Sequence, residues 1–434
     1  MSDSSQGAPA AALPRGARDL LPLACRRRRA VTAALLSTFE AWGYEPVATP
    51  AIEYYEVLAR GLSDADRRGC VRFIAAGSGE LVTLRADVTP QIARMLAQRL
   101  GGELPADVVH RLSYAAEVLR QPTTLHERSE VHQVGVELVG DDDPAADAEL
   151  VALAAASLRS IGLVGFRLDL AHTRIARGLL TALALPAEIG EEAQALLARK
   201  DRDGLARLLA PLDRPPGLWR AVVALCELFG APSHVLPRAE QALAGAGVDP
   251  GVGAALAELR GVLEHLAELP GGVLERVSVD LGEARGFDYY SGIRVRGWAA
   301  GSPQPLVRGG RYDGLLRRYG APRPATGFAI DLDAVEAALA AQGHEPAGAE
   351  SLPAHLVAID AAARGSAVRR LGQALAAAAR RQGGRAWVQP GVTLARARAL
   401  ADDVGAATLT FVDEQRAVTW ARGPHGWTAA QETE

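Results

Sequence analysis

Lysine is almost missing: of 47 Lys and Arg residues, Lys200 is the single lysine. This leaves little room for a Schiff-base lysine, and neither a GxxxxGK[ST] phosphate loop nor a GxGxxG loop occurs. The three cysteines, Cys25, Cys70 and Cys226, lie far apart with no CxxC or Cys/His spacing. A disulfide framework and a zinc site are thereby excluded as organising devices, and no metal or cofactor is expected. No run reaches the ~18 uninterrupted apolar residues of a membrane span. The first sixteen residues, MSDSSQGAPAAALPRG, lack the basic-then-apolar profile of a signal peptide, so a cytoplasmic address is expected. Basic charge is not in excess either: 51 acidic residues against 47 basic ones give a net charge of -4. The chain therefore lacks the broad positive field that binding to a phosphate backbone uses.

What is present is a chain of 434 residues, 49% of them hydrophobic, which is a soluble multi-domain composition. Residues 1–17 are Gly/Pro/Ser/Ala-rich and read as a flexible tail. Residues 19–42 read as an amphipathic helix with Leu20, Leu35, Leu36 and Phe39 on its apolar side. The run Arg26 to Arg29 is then a solvated or interface face. The stretch YEPVATPAIEYY reads as a strand broken by Pro46 and Pro50, which suits an edge or an interface. Residues 81–85 alternate as a strand, and Thr89 is placed to cap a helix with Pro90 at its first position. Residues 109–119 and 131–139 form two more strands joined by a polar loop. The segment DDDPAADAELVALAAASL begins a helix with carboxylates at its N-terminal end, where the helix dipole favours them.

Residues 166–172 are a further strand, and from 174 to 269 the pattern becomes helical with Pro/Gly breaks. Strand signals return at 276–281, 292–298 and 305–307, followed by a helix from about Asp333. The predicted class is α+β: a mostly antiparallel sheet with helices in residues 18–173 and 270–345, interrupted by a helical insertion at 174–269. Residues 352–434 read β-α-β-α-β and form a separate small α/β domain. No internal repeat is present.

Three segments carry chemistry. In the strand 131–139, VHQVGVELV, alternation puts Gln133, Gly135 and Glu137 on one face and Val134, Val136 and Leu138 on the other. If the strand is central, the amide and the carboxylate are buried and need partners, which a small polar ligand over Gly135 supplies. If that face meets solvent, as in many antiparallel sheets, no ligand is required. The run Glu283 to Gly292, EARGFDYYSG, fits a loop presenting Arg285 and the hydroxyls of Tyr289 and Tyr290 to a ligand carboxylate, or a plain hairpin turn. The run Arg308 to Gly314, RGGRYDG, allows close backbone approach, or is a turn with an exposed Arg-Asp pair.

Taken with PRGARDLLP, GYEPVATPAIEYYE, LRADVTPQIARM, RLSYAAEVLRQP and PATGFAIDLDAVEAAL, these segments resemble histidyl-tRNA synthetase. They resemble more closely its paralogue without synthetase activity, the regulatory subunit of ATP phosphoribosyltransferase. The resemblance covers residue 14 to about 345 and implies a class II aminoacyl-tRNA synthetase-like core with L-histidine as ligand. By position, Asp87 replaces a glutamate that contacts the amino acid and Thr89 keeps its threonine. Gln133 and Glu137 keep the histidine-facing strand, Arg285 the loop arginine, and Tyr290 and Tyr312 the tyrosines near the imidazole. Arg120 matches the motif 2 arginine, and Tyr289 completes the implied histidine-binding set.

The departures are informative. Synthetase motif 3 ends in a Gly-x-Glu-Arg run, where this chain has Asp331-Leu332-Asp333-Ala334, so Ala334 stands at the arginine's place. One unit charge pair at 4 Å is worth about 4 kcal/mol at an effective dielectric near 20, about a thousandfold in ATP-dependent chemistry. The implied role is therefore non-catalytic: a regulatory chain required for activity and feedback inhibition of a short-form ATP phosphoribosyltransferase, the first step of histidine biosynthesis. The resemblance further implies a homodimer through the motif 1 region within a hetero-octamer, and no role for membrane or tRNA. An active histidyl-tRNA synthetase and a free-standing amino-acid-binding paralogue are the alternatives.

Overall fold

A computed structural model describes residues 13–100, 102–105, 107–122, 128–244, 246–247, 249–284, 290–346 and 354–433. The chain divides into two compact units, residues 1–349 and 350–434.

Strands of the first unit are β1 (Glu45–Pro46), β2 (Ile52–Tyr54), β3 (Arg72–Ile74), β4 (Leu81–Leu84), β5 (His110–Leu119), β6 (Glu130–Val139), β7 (Arg167–His172), β8 (Phe229–Gly230), β9 (Val277–Asp280), β10 (Ile293–Trp298), β11 (Val307–Arg311) and β12 (Ala325–Asp331). Nine of them make one sheet in the order β1-β5-β6-β12-β11-β10-β7-β9-β8, while β2, β4 and β3 form a separate small sheet. Pairing is antiparallel except at β1/β5 and β7/β9. The proline-broken strand accordingly lies at an edge, where Pro46 disturbs no central ladder. RGGR, read from sequence as a glycine turn, is part of β11 and runs beside β12. The helical stretch from Thr173–Ala182 to Pro250–Glu268 also contains β8, which closes the far edge of the sheet.

The core follows from alternation on β6. Val134, Val136 and Leu138 are fully buried, packed with Val31, Leu35 and Phe39 of the helix Pro22–Ala41 and with the helix Pro144–Ser160. Each such side chain contributes about 1.5–3 kcal/mol on leaving water. Phe39 meets Phe328 of β12 edge-on at 5.9 Å. The helix Pro144–Ser160 starts as its sequence suggests, with Asp143 accepting from Ala145 N at 2.8 Å. With its apolar face covered, β6 turns Gln133, Gly135 and Glu137 the other way.

Two sequence expectations need correction. Thr89 is not the helix cap: it is the first residue of the helix Thr89–Arg99, and its hydroxyl donates to Glu137 instead. Asp87 takes the local role, accepting from Thr89 N at 3.2 Å. Nor is the arginine run simply a solvated face, because Arg28 is only 7% exposed. Arg28 pairs with Asp333 and, at 2.7 Å, with Glu336 of the helix Leu332–Ala341, and contacts His132 Nδ1 at 2.9 Å. Arg18 and Arg128 pair with the same Asp333 carboxylate. Burial opposes ionisation of Asp333, yet the guanidiniums of Arg128, Arg28 and Arg18 hold its carboxyl below the ordinary range. Asp331 caps the same helix, accepting from Asp333 N and Ala334 N.

The second unit, described by itself, is a five-stranded sheet ordered β14-β13-β15-β16-β17, from β13 (Ala354–Asp360), β14 (Arg385–Val392), β15 (Thr408–Val412), β16 (Ala417–Gly423) and β17 (Gly426–Thr433). The first three strands are parallel and linked by the helices Ser366–Arg381 and Leu394–Asp403. The last two form an antiparallel hairpin beyond the predicted β-α-β-α-β pattern.

Replacing Asp333 by Ala strips the buried Arg28 of one of its two carboxylates and is expected to destabilise the fold by about 3 kcal/mol. Arg18→Ala removes a partner that is 44% exposed and is expected to cost less than about 1 kcal/mol. Denaturant midpoints of the two variants measure the difference, and equal values would deny Asp333 its place as the centre of the network.

Candidate functional site

The polar face of β6 looks toward the start of the helix Thr89–Arg99. Glu137 is only 1% exposed, on β6 between β5 and β12 in the nine-stranded sheet. A carboxylate there must find donors, and two converge on it. Thr89 Oγ1 donates to Oε1 at 2.6 Å, and the Tyr312 hydroxyl, just after β11, donates to Oε2. The carboxylate has room because its register partner on β12 is Gly327: a Cβ at that position would come within 2.0 Å of Glu137 Oε2. Two donors do not offset the loss of water, so burial pushes the carboxyl up to about 8 against the bonds from Thr89 and Tyr312.

Three acceptors stand near this centre. Gln133 Oε1 is buried without a hydrogen-bond partner. Asp87 sits two residues before Thr89, its carboxyl raised by burial against the pull of Arg120, whose Nη2 lies 4.0 Å away. Arg120 is further anchored by its Nε bond to Ala86 O at 2.7 Å. The third is Tyr114 of β5, a residue that sequence reasoning did not single out. Tyr114 pairs with Gly135, and its hydroxyl lies where a Cβ of residue 135 would be, 2.5 Å from that position. The gap read from the sequence as open floor is thus roofed by a phenol. Burial, then the carboxylates of Glu137 and Asp87, push that phenol well above its ordinary range.

Tyr290 closes another side. Its ring lies on Gly310 and under the guanidinium of Arg294 at 5.5 Å, and burial pushes its hydroxyl up to about 12. Five residues of the predicted set are therefore described around one centre, Asp87, Thr89, Glu137, Tyr290 and Tyr312, with Arg120 beside Asp87 and Gln133 farther along the same face of β6, level with Asp331. Arg285 and Tyr289 lie outside the described residues. Arg311, from the same glycine run, faces away and pairs with Asp147 at 2.8 Å across the sheet. A cleft of about 690 Å³ lined by Arg167, Asp169, Ser278 and Trp298, farther along the sheet at β7, β9 and β10, contains none of the set. Among the described residues no group of three His, Cys, Asp or Glu side chains is arranged to hold a metal, and no helix is long and apolar enough to cross a membrane.

Chemically the site is rich in acceptors: two carboxyls, an amide oxygen and phenol oxygens in little water. Such a lining selects a small ligand with several N–H donors and cationic character.

Comparison with known proteins places this geometry. Residues 16–335 match the family model described as histidyl-tRNA synthetase. The chain is similar to an ATP phosphoribosyltransferase regulatory subunit from Syntrophotalea carbinolica, 38% identical over 75% of this chain and 74% of the relative. It is also similar to one from Anaeromyxobacter dehalogenans, 41% identical over 75% of this chain and 91% of the relative. Among solved structures, an ATP phosphoribosyltransferase regulatory subunit/histidyl-tRNA synthetase from Bacillus halodurans C aligns with a TM-score of 0.77 at 25% identity, over 94% of this chain and 98% of that one. Histidyl-tRNA synthetase from Nostoc sp. PCC 7120 aligns with a TM-score of 0.76 at 17% identity, over 98% and 97%, and shares the fold. The core is thus that of a class II synthetase-like α+β protein. Within that class, the chain belongs to the family of ATP phosphoribosyltransferase regulatory subunits.

Glu137 titrates at about 8 in the folded chain against an ordinary 4.5. Between those values the folded state keeps a proton that the unfolded state has released, so stability falls as pH rises through this window, by at most about 1.4 kcal/mol per pH unit from this group. Glu137→Gln removes that slope. Thermal unfolding from pH 5 to 8 is expected to show the variant gaining on the parent as pH rises, and parallel curves would contradict a buried, protonated Glu137.

Proposed function

We propose that this chain is the histidine-sensing partner of a catalytic ATP phosphoribosyltransferase, and that the pocket around Glu137 is where L-histidine binds. The observation that carries the reading is the acceptor set itself. The histidine ammonium finds Asp87, Glu137 and the unpartnered Gln133 oxygen, and the imidazole finds the phenols of Tyr114, Tyr290 and Tyr312. Ligand entry supplies positive charge to a carboxyl held protonated by burial, so histidine binding is coupled to loss of the Glu137 proton. The names of the similar proteins support the regulatory role and the partnership.

A non-catalytic role is supported by the start of the helix Leu332–Ala341. Its sequence, LDAVEAALAA, contains no arginine, and the Asp333 carboxylate is already engaged by three arginines. Among the described residues, this helix start therefore presents carboxylates rather than a free cation. Occupancy of the pocket then alters catalysis in the partner by favouring one conformation of the assembly, the differential affinity being set at Glu137. The homodimer and the four-plus-four octamer belong to the same proposal.

Titration calorimetry of the whole chain with histidine and, separately, with ATP tests the reading. Saturable histidine binding is expected, unaffected by ATP, with no histidine-dependent adenylate formed. Glu137→Ala is expected to abolish histidine binding and feedback on the catalytic subunit. Gly327→Ala, which pushes a methyl into the Glu137 carboxylate, is expected to weaken histidine at least about tenfold. Histidine-dependent ATP–pyrophosphate exchange by the purified chain would establish a synthetase instead.

A further inference from the structure

On the polar face of the main sheet, directly paired residues lie side by side, about 4.8 Å per strand. Gly135 of β6 pairs with Ala329 of β12, Ala329 with Arg308 of β11, and Arg308 with Arg296 of β10. Arg308 therefore stands roughly 10 Å from Gly135 on the same face, across a floor made of Ala329, Gly327 and Gly310. These floor residues carry no side chain larger than a methyl, and among the described residues the Tyr290 ring lies over Gly310 at its edge.

The cations along this trough are not equivalent. Arg294 and Arg296 share the carboxylate of Glu283, at 3.2 and 2.8 Å. Arg120 is fastened to a carbonyl and lies 3.9 and 4.0 Å from Asp66 and Asp87. Arg308 forms no ion pair with any described residue. Its Nη2 donates to the neutral Gln304 Oε1 at 3.0 Å, and the side chain is exposed to solvent although ringed by protein. Burial and then the like charges of Arg120 and Arg294 lower its affinity for its proton, against the carboxylate of Asp331. A guanidinium with one of five donors engaged, facing a shallow trough among other cations, is arranged to receive an oxyanion in bidentate fashion.

We propose that Arg308 is the principal ligand of an anion subsite beside the amino-acid pocket, one that takes a phosphate or pyrophosphate group of a small molecule. The subsite is distinct from the motif 3 position, where carboxylates stand, and its cation comes from β11. It does not depend on which amino acid fills the Glu137 pocket, so the two readings fail separately.

The test is calorimetric titration of the full chain with inorganic pyrophosphate at fixed ionic strength, without histidine, alongside a histidine titration of the same samples. Saturable pyrophosphate binding is expected for the parent. Arg308→Ala is expected to weaken it at least about tenfold, with histidine affinity unchanged within about twofold. Arg308→Lys is expected to fall between, because lysine keeps the charge but loses the planar fork. Matching circular dichroism and melting temperatures establish that the variants are folded. The proposal is overturned if the parent shows no saturable pyrophosphate binding, or if Arg308→Ala binds it as the parent does. It is equally overturned if histidine affinity drops in parallel, since Arg308 would then be gripping the amino acid's own carboxylate.

Discussion

A carboxyl group held out of water on an interior strand of a nine-stranded sheet constrains everything around it. Glu137 is out of water, and its oxygens take donors from two separate elements, the helix start at Thr89 and the end of β11 at Tyr312. The neighbouring strand has to be glycine where it passes, at Gly327, and the opposite face of β6 has to be packed solid by Val134, Val136 and Leu138. Moving β6 by one residue would bury Gln133 and Glu137 in the apolar core and expose three valine and leucine side chains. Register, glycine placement and helix position are thus consequences of a single buried acid.

The same carboxyl explains why the site suits a ligand better than a structural role. A purely structural buried glutamate is normally paired with a cation or fully supplied with donors. Here two hydroxyls leave it protonated near neutrality, and acceptors without enough donors surround it, among them the Gln133 oxygen. The cationic arginines lie farther along the face and are committed elsewhere, with Arg308 the exception. Acceptors at one end of this face and a cation at the other make it electrostatically polarised.

Away from the pocket, arginine carries nearly all the positive charge, and the fold uses it for cross-links between distant segments. Arg18, Arg28 and Arg128 come from three parts of the chain and meet on Asp333. His132, next to Gln133, lies between Arg28 and Glu117, so the ligand-facing strand and this network are adjacent in space. Asp333 and Asp331 thereby serve architecture and helix capping.

Periodicity made much of this legible in advance. The alternation on β6, the hairpin with β5, the proline-marked edge strand and the helices starting at Pro144 and near Asp333 are local properties, because side-chain period and capping chemistry act over a few residues. Resemblance to a known family brought Asp87, Thr89, Gln133, Glu137, Tyr290 and Tyr312 together before any coordinates did. What stayed hidden depends on contacts between residues far apart in the chain. Arg28 read as part of a solvated or interface face until the helix Leu332–Ala341 supplied its carboxylates, and Thr89 read as a cap until Glu137 accepted its hydroxyl. Tyr114 over Gly135, and Arg308 two strands from the pocket, are set by cross-strand register, which pairs residues some 20 to 200 positions apart and leaves no trace in local composition. Sequence by itself decided which faces are apolar and where elements begin, whereas only the tertiary structure decided which polar groups find partners, because desolvation and pairing are properties of neighbours in space.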